Sequence, residues 1–179
     1  MENTFNTLLS RNYNNHKSLE SDPWKAIPIK NRKQAKETTE LHLGNQGIEI
    51  LSQFEYFPNL EVLWLNDNRL QNVQNLDQNF RIKSLYLQNN RINTLEGSIS
   101  TMRHLEHLLL YNNELRDLDK NLEILKELVY LKQLDLFGNP LAEEPYYRFR
   151  VINELNQLQL LDRHIITQTE RAKAKAWAV

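Results

Sequence analysis

The sequence predicts an α/β solenoid in which short parallel strands stack into a curved sheet, and three observations lead there. An apolar pattern of the form LxxLxLxxNxL occurs five times along the middle of the chain. Its period is nearly constant, with the Asn position falling at Gln46, Asn68, Asn90, Asn113 and Asn139, so that successive steps are 22, 22, 23 and 26 residues. Finally, neither end of the 179-residue chain shows the pattern, as expected where a stack must be closed off.

The five copies are TELHLGNQGI from Thr39, LEVLWLNDNRL from Leu60, IKSLYLQNNRI from Ile82, LEHLLLYNNEL from Leu105 and LKQLDLFGNPL from Leu131. Together they define a short-period leucine-rich repeat, for which the expected shape is a right-handed horseshoe with a parallel concave sheet of about five repeats and a helical C-terminal cap. In each copy alternate strand residues must point inward. The inward pairs are Leu63 and Leu65, Leu85 and Leu87, Leu108 and Leu110, and Leu134 and Leu136. A single copy cannot bury that face, whereas a stack makes one continuous core. Asn68, Asn90, Asn113 and Asn139 are expected to sit beneath the turns, hydrogen bonding backbone groups that would otherwise be buried without partners.

Between strands, Leu51, Phe54 and Phe57, then Val73 and Leu76, then Leu95 and Ile99 recur at the spacing of short helical or 3₁₀ turns. The fourth return is longer, and Leu118, Leu122, Leu125 and Leu128 share one stripe of a helix, which explains the 26-residue step. The division that follows is an N-terminal extension or cap linker at 1–37, repeats at 38–141, a C-terminal cap at 142–166 and a helical extension at 167–179. In the cap, Tyr147, Val151 and Leu155 lie four apart with Ile152 beside them, and a partial strand carries Leu158 and Leu161.

In the extension, Phe5, Leu8, Leu9 and Tyr13 have helical spacing, while the two prolines of SDPWKAIPIK are expected to exclude regular structure there. Lys25 to Lys36 holds five basic residues and no acid, which suits either a docking arm or a solvated cap linker. Thr167 stands three residues before Glu170 in a capping-box pattern, and the helix it starts is expected to run away from the cap.

Composition narrows the chemistry. With no cysteine and only four glycines, disulfide frameworks, Cys-ligated zinc, thiol nucleophiles and the usual glycine-rich nucleotide loops are excluded. A net charge of −1 disfavours a polyanion binder. No apolar run nears the roughly 20 residues a membrane helix needs, and no Asn-X-Ser/Thr acceptor occurs, which suggests a soluble protein of a reducing compartment.

Residues flanking the inward leucines should line the concave face. One column is His42, Trp64, Tyr86, Leu109 and Asp135; the next is Gly44, Asn66, Gln88, Tyr111 and Phe137. Trp64, Tyr86, Leu109, Tyr111 and Phe137 then form a diagonal apolar stripe, expected to be exposed, of the residue types that anchor interfaces. Cross-strand stacking that merely stabilises the sheet is the competing role. Glu40, His107, Gln133 and Asp135 would set register at the rim. Six strands at about 4.8 Å make a sheet about 24 Å wide, room for about 16 helical residues, so an amphipathic helix is the expected occupant.

Catalytic readings find little support. His104 and His107 form an HxxH, but a strand begins between them and no third ligand is evident, so no metal or cofactor is expected. Asp135 and His107 lie on neighbouring strands and could hydrogen-bond, yet Ser84 is the sole candidate nucleophile in the concave columns.

The run YYRFRVINELNQLQLLD after GNPL resembles the C-terminal cap shared by several intracellular leucine-rich repeat proteins, among them the spliceosomal A-prime protein and small axonemal repeat proteins. Within that group, EVLWLNDNRL, SLYLQNNRI, HLLLYNNELRDLD and QLLDRHIITQTER most resemble the leucine-rich repeat-containing protein 72 family, associated with motile cilia. The resemblance covers about residues 38 to 170 and departs at Asn156, where a proline is usual, which affects local rigidity only. It implies a non-enzymatic adaptor or structural subunit of a cilium axoneme, placed in the cytoplasm or cytoskeleton. Such a subunit would be a monomer within a hetero-complex, bound to other proteins and neither directly to nucleic acid nor to membrane. The alternatives it leaves open are a nuclear ribonucleoprotein subunit that holds an RNA-binding protein in the same groove, and a phosphatase-targeting regulator of similar period.

Overall fold

Leucines at the centre of each three-residue strand set the register of the sheet. In the computed structural model, which describes residues 18–26 and 31–177, the strands are β1 (Glu40–His42), β2 (Val62–Trp64), β3 (Ser84–Tyr86), β4 (His107–Leu109), β5 (Gln133–Asp135), β6 (Leu160–Leu161) and β7 (His164–Ile165). They form one seven-stranded sheet in sequence order, parallel from β1 to β6. Leu41, Leu63, Leu85, Leu108, Leu134 and Leu161 pair across it as one row, each buried to 1% exposure or less. The predicted solenoid is therefore present, with one strand more than expected. Strand β7 runs antiparallel to β6, Leu160 pairing with Ile165 and Leu161 with His164.

The second inward leucines, Leu43, Leu65, Leu87, Leu110 and Leu136, are fully buried and sit beside the Asn row. Asn90 Oδ1 accepts the Leu70 N–H at 3.0 Å while its Nδ2 donates to the carbonyls of Leu65 and Leu87, both at 2.9 Å. Asn113 repeats the arrangement with the Ile92 N–H at 2.9 Å and the carbonyls of Leu87 at 3.0 Å and Leu110 at 2.9 Å. Asn139 does so with Leu115, Leu110 and Leu136, and Asn68 holds two N–H groups, those of Gln46 and Ile48. The carbonyls of Leu65, Leu87 and Leu110 thus each accept from the asparagine of their own repeat and from the next.

The returning segments close the other side of the core. Single 3₁₀ turns occur at Phe54–Tyr56 and Ser98–Thr101, and Phe54, Phe57, Val73, Leu76, Leu95 and Ile99 are all buried. At the N-terminal end, helix α1 (Pro23–Ala26) corrects the expectation that the prolines exclude regular structure. Pro23 opens that turn at a position whose N–H would have no helical acceptor. Trp24 packs against Tyr56 and Phe57, each with ring centroids 5.4 Å apart. Ser21 is 1% exposed and exchanges hydrogen bonds with Ser52. Helix α2 (Arg32–Glu37), capped by Asn31, buries Ala35 and places Arg32 over the Tyr56 ring at 5.6 Å. The basic stretch is in this part a lid on the first repeat. The helix expected through Phe5, Leu8, Leu9 and Tyr13 lies outside the described residues.

Helix α3 (Leu118–Leu125) forms the long return, with Leu118, Leu122 and Leu125 buried and Leu128 just past its end. After a 3₁₀ turn at Pro140–Glu143, helix α4 (Tyr147–Glu154) covers the last repeat with Tyr147, Val151 and Ile152. Helix α5 (Gln168–Trp177) does not run away from the cap, in contrast to expectation. It folds back onto α4, burying Ala174 completely and setting Trp177 against Tyr146 with ring centroids 5.0 Å apart and planes tilted by 34°. Thr167 Oγ1 accepts the Glu170 N–H at 3.2 Å, but the Glu170 carboxylate is taken by Arg148, from Nε at 2.6 Å and Nη2 at 3.1 Å. Only half of the capping box is made, because the two-pronged ion pair to α4 competes for the same carboxylate.

Candidate functional site

With every first leucine pointing inward, the residues on either side of it must face the concave surface. The strand registers place His42, Trp64 and Tyr86 side by side, and the same row continues through Leu109 to Asp135. Strand spacing brings flat rings into contact. Trp64 and Tyr86 stack with centroids 3.7 Å apart and planes at 10°, and His42 stacks on Trp64 at 5.3 Å and 13°. Glu40 locks the outer end, accepting the Trp64 indole N–H at 2.9 Å and lying 3.0 Å from His42 Nε2.

This contact modifies the expected exposure. Of the five stripe residues only Phe137 is mostly exposed, at 57%, while Trp64, Tyr86, Leu109 and Tyr111 are half-buried. His42, Trp64 and Tyr86 cover one another's faces while Trp64 and Tyr86 stay partly accessible, so stacking and accessibility coexist in that part of the row. His42 and Glu40 remain exposed.

Asp135 is corrected more strongly. It is not a rim residue: it is 2% exposed, accepts the Phe137 N–H at 3.1 Å, and is ion-paired with Arg163 Nε at 3.1 Å. Burial pushes its carboxyl above the ordinary carboxylate range, opposed by the Phe137 N–H and by Arg163. Nor does it pair with His107. The register sets His107 opposite Gln133, whose Oε1 is 3.2 Å from His107 Nδ1, and Leu109 opposite Asp135. His104 is far from such chemistry, stacked on Tyr130 at 6.1 Å at the edge where return segments enter the sheet. Ser84 is buried to 9% exposure between Val62 and His107 in its column.

Two features of the face escape a reading of leucine spacing. The first is a row of left-handed residues just past the strands, Asn45, Asp67, Asn89 and Asn112 with φ between 54° and 58°, followed by Gly138 at 73°. Their side chains link along the rim, Asn89 to Asp67 at 2.7 Å and Asn112 to Asn89 at 2.9 Å. The signal is the doublet that ends in each buried asparagine, Asp-Asn, Asn-Asn, Asn-Asn and Gly-Asn, whose first residue is of a type that tolerates positive φ. The second is Arg163, which lies over the rings of Tyr111 at 5.5 Å and Phe137 at 4.9 Å. It stands in the β6–β7 turn, where Asp162 and Arg163 both have positive φ, 49° and 66°. A two-residue hairpin is normally signalled by Asn-Gly or Asp-Gly, so Asp-Arg gave no cue.

Asp162 makes the turn possible by accepting the Leu136 N–H at 2.8 Å and the Tyr147 O–H at 3.0 Å. The Tyr147 hydroxyl is buried, which raises its pKa, and the nearby Asp162 adds to the rise. The face therefore offers stacked rings, an apolar middle and one cation at its C-terminal end.

A family profile described as leucine-rich repeat matches residues 57–178. The chain is 31% identical over 138 residues to a probable U2 small nuclear ribonucleoprotein A' of Caenorhabditis elegans, covering 76% of this chain and 54% of that protein. It is 34% identical over 112 residues to leucine-rich repeat-containing protein 23 of Bos taurus, covering 63% of this chain and 32% of that protein. The chain thus spans about half or less of these curated relatives. Among solved structures, the Drosophila melanogaster SNF/U2A' complex contains a chain that matches with a TM-score of 0.73 at 26% identity, covering 88% of this chain and 91% of that one.

Proposed function

The chain belongs to the leucine-rich repeat family, and from that premise we propose that it is a non-catalytic adaptor that holds a segment of another protein on its concave face. The observation that carries this reading is the row from His42 through Trp64, Tyr86 and Leu109 to Tyr111 and Phe137, its first three rings ordered by stacking and its last two covered by Arg163, yet open to solvent. Pre-ordered aromatic side chains lose little freedom on binding, so most of their contact energy is available to a partner. Glu40, His42, His107 and Gln133 border the row and would set the occupant's register.

Two cellular settings suit such an adaptor. Likeness to U2A' proteins, one of them solved as the SNF/U2A' complex, supports a nuclear ribonucleoprotein subunit that holds an RNA-binding protein. The axonemal setting, in the cytoskeleton of a cilium, is supported by the resemblance of the repeat and cap motifs to the leucine-rich repeat-containing protein 72 family. Both settings use the same face.

Affinity purification of the tagged full chain beside the Trp64→Ala/Tyr111→Ala double variant, with and without nuclease, tests the proposal. The expected result is a set of proteins retained by the wild type and lost by the variant. Axonemal proteins that survive nuclease favour the ciliary setting, whereas an RNA-binding protein with its RNA favours the nuclear one. Equal recovery by a folded variant would overturn the concave-face reading.

A further inference from the structure

The apolar row ends at the β6–β7 hairpin, where Arg163 crosses it. The guanidinium lies against the rings of Tyr111 and Phe137, with Nε 3.1 Å from Asp135 Oδ2, yet the side chain is 57% exposed. Its two terminal nitrogens make no hydrogen bond among the described residues. Of the acids lining the adjoining cleft, Asp162 is engaged by the Leu136 N–H and the Tyr147 O–H and Glu170 by Arg148, whereas the exposed Glu143 carboxylate has no hydrogen-bond or ion-pair partner among the described residues. Beside the arginine, Phe137 at 57% and Ile165 at 75% exposure border an open cleft of about 820 Å³.

An arginine held flat on two rings and anchored through Nε has already lost much of its rotamer freedom, so its unused N–H donors are set for an oxyanion at little entropic cost. A polyanion is the wrong occupant. Of the concave columns and the β6–β7 hairpin, only His42, His107, Arg163 and His164 carry basic side chains, whereas nucleic-acid affinity grows with the number of phosphates neutralised. Apolar surface on both sides of the cation calls instead for a protein segment of mixed character.

We propose that Arg163 reads charge on the groove's occupant: an amphipathic segment bearing a carboxylate side chain about one helical turn from an apolar residue. The carboxylate pairs with the terminal nitrogens of Arg163 while the apolar residue covers Phe137 and Ile165. This inference rests on the concave-face reading above and gives the partner its chemistry and orientation.

The test uses a displayed library of helical peptides selected against the full chain, against Trp64→Ala, and against Arg163→Gln and Arg163→Lys. Peptides retained by the wild type should carry Asp or Glu at one fixed position. Changing that acid to its amide should weaken binding about tenfold to the wild type and hardly at all to Arg163→Gln. Arg163→Lys keeps the charge beside Asp135 but lacks the fork, and should lose most of the preference even where Arg163→Gln folds poorly. Trp64-dependent peptides without a fixed acid, or with an acid equally valuable to every Arg163 variant, would overturn the role of Arg163 and leave the groove intact. Selected peptides indifferent to Trp64→Ala would overturn the groove reading, and this inference with it.

Discussion

Replacing Asn113 by alanine tests whether the buried asparagines hold the repeats together. The side chain is 6% exposed and its amide serves three backbone groups. The Ile92 N–H has Asn113 Oδ1 as its acceptor and is left buried without one, at a cost of about 1–3 kcal/mol. The carbonyls of Leu87 and Leu110 lose one bond each but keep those from Asn90 and Asn139, at about 0.5–1 kcal/mol apiece. The total is roughly 2–5 kcal/mol, read by urea denaturation at constant m-value. Asn113→Asp separates donor from acceptor: a carboxylate still accepts from Ile92 but sets negative charge against two carbonyl oxygens. Protonation relieves that clash, so the introduced group has a raised folded pKa and the variant should recover stability as pH falls through that raised value, completely by about pH 4. An alanine variant within about 0.5 kcal/mol of the parent would refute the reasoning.

Leu87→Ala opens a cavity between repeats at a fully buried site and should cost about 2–5 kcal/mol in the same assay. Because burial raises the Asp135 pKa, its contribution is fully present below about pH 4 and falls as pH rises through the raised value. Asp135→Asn should therefore gain on the parent as pH rises above about 4, and parallel stability profiles would count against the assignment. Glu170 has the opposite sign: hydrogen bonds from Arg148 hold its carboxyl below the usual range, so its stabilisation is present above about pH 4.3 and is lost on acidification. Glu170→Gln should speed amide exchange in α5 at neutral pH while the strands stay protected, and uniform exchange would show that α5 is held by other contacts.

The leucine period made the strands legible because each repeat imposes the same burial on the same positions, and the asparagines shared that regularity. Where the structure departs from expectation, a contact between elements decides. Pro23 is a local cue for the first position of a helical turn, but four residues do not hold one by themselves; Trp24 packing on Tyr56 and Phe57 favours it. Nothing in the last helix shows its direction until Arg148 meets Glu170. The concave stripe was legible as a set of positions, but its exposure was not, because ring stacking depends on χ angles that spacing does not specify. Asp135 misled for a related reason. Its column faces outward, and only the hairpin residue Arg163, 28 positions later in the chain, covers and neutralises it.

The antiparallel strand β7 makes this stack a gauge of length. A sheet of parallel strands alone could accept another repeat at its end, but a two-residue strand reversed on the last parallel one stops the series and carries Arg163 with it. The stacked rings of His42, Trp64 and Tyr86 sit at the start of the series, so the number of repeats fixes the distance between the aromatic mark and the cationic mark. One repeat more or fewer would move the marks by about 4.8 Å, close to the rise of three helical residues. A partner whose apolar and acidic side chains match the present interval would then fall out of step by almost one turn, so an insertion that left every repeat perfectly folded would still exchange one set of acceptable partners for another.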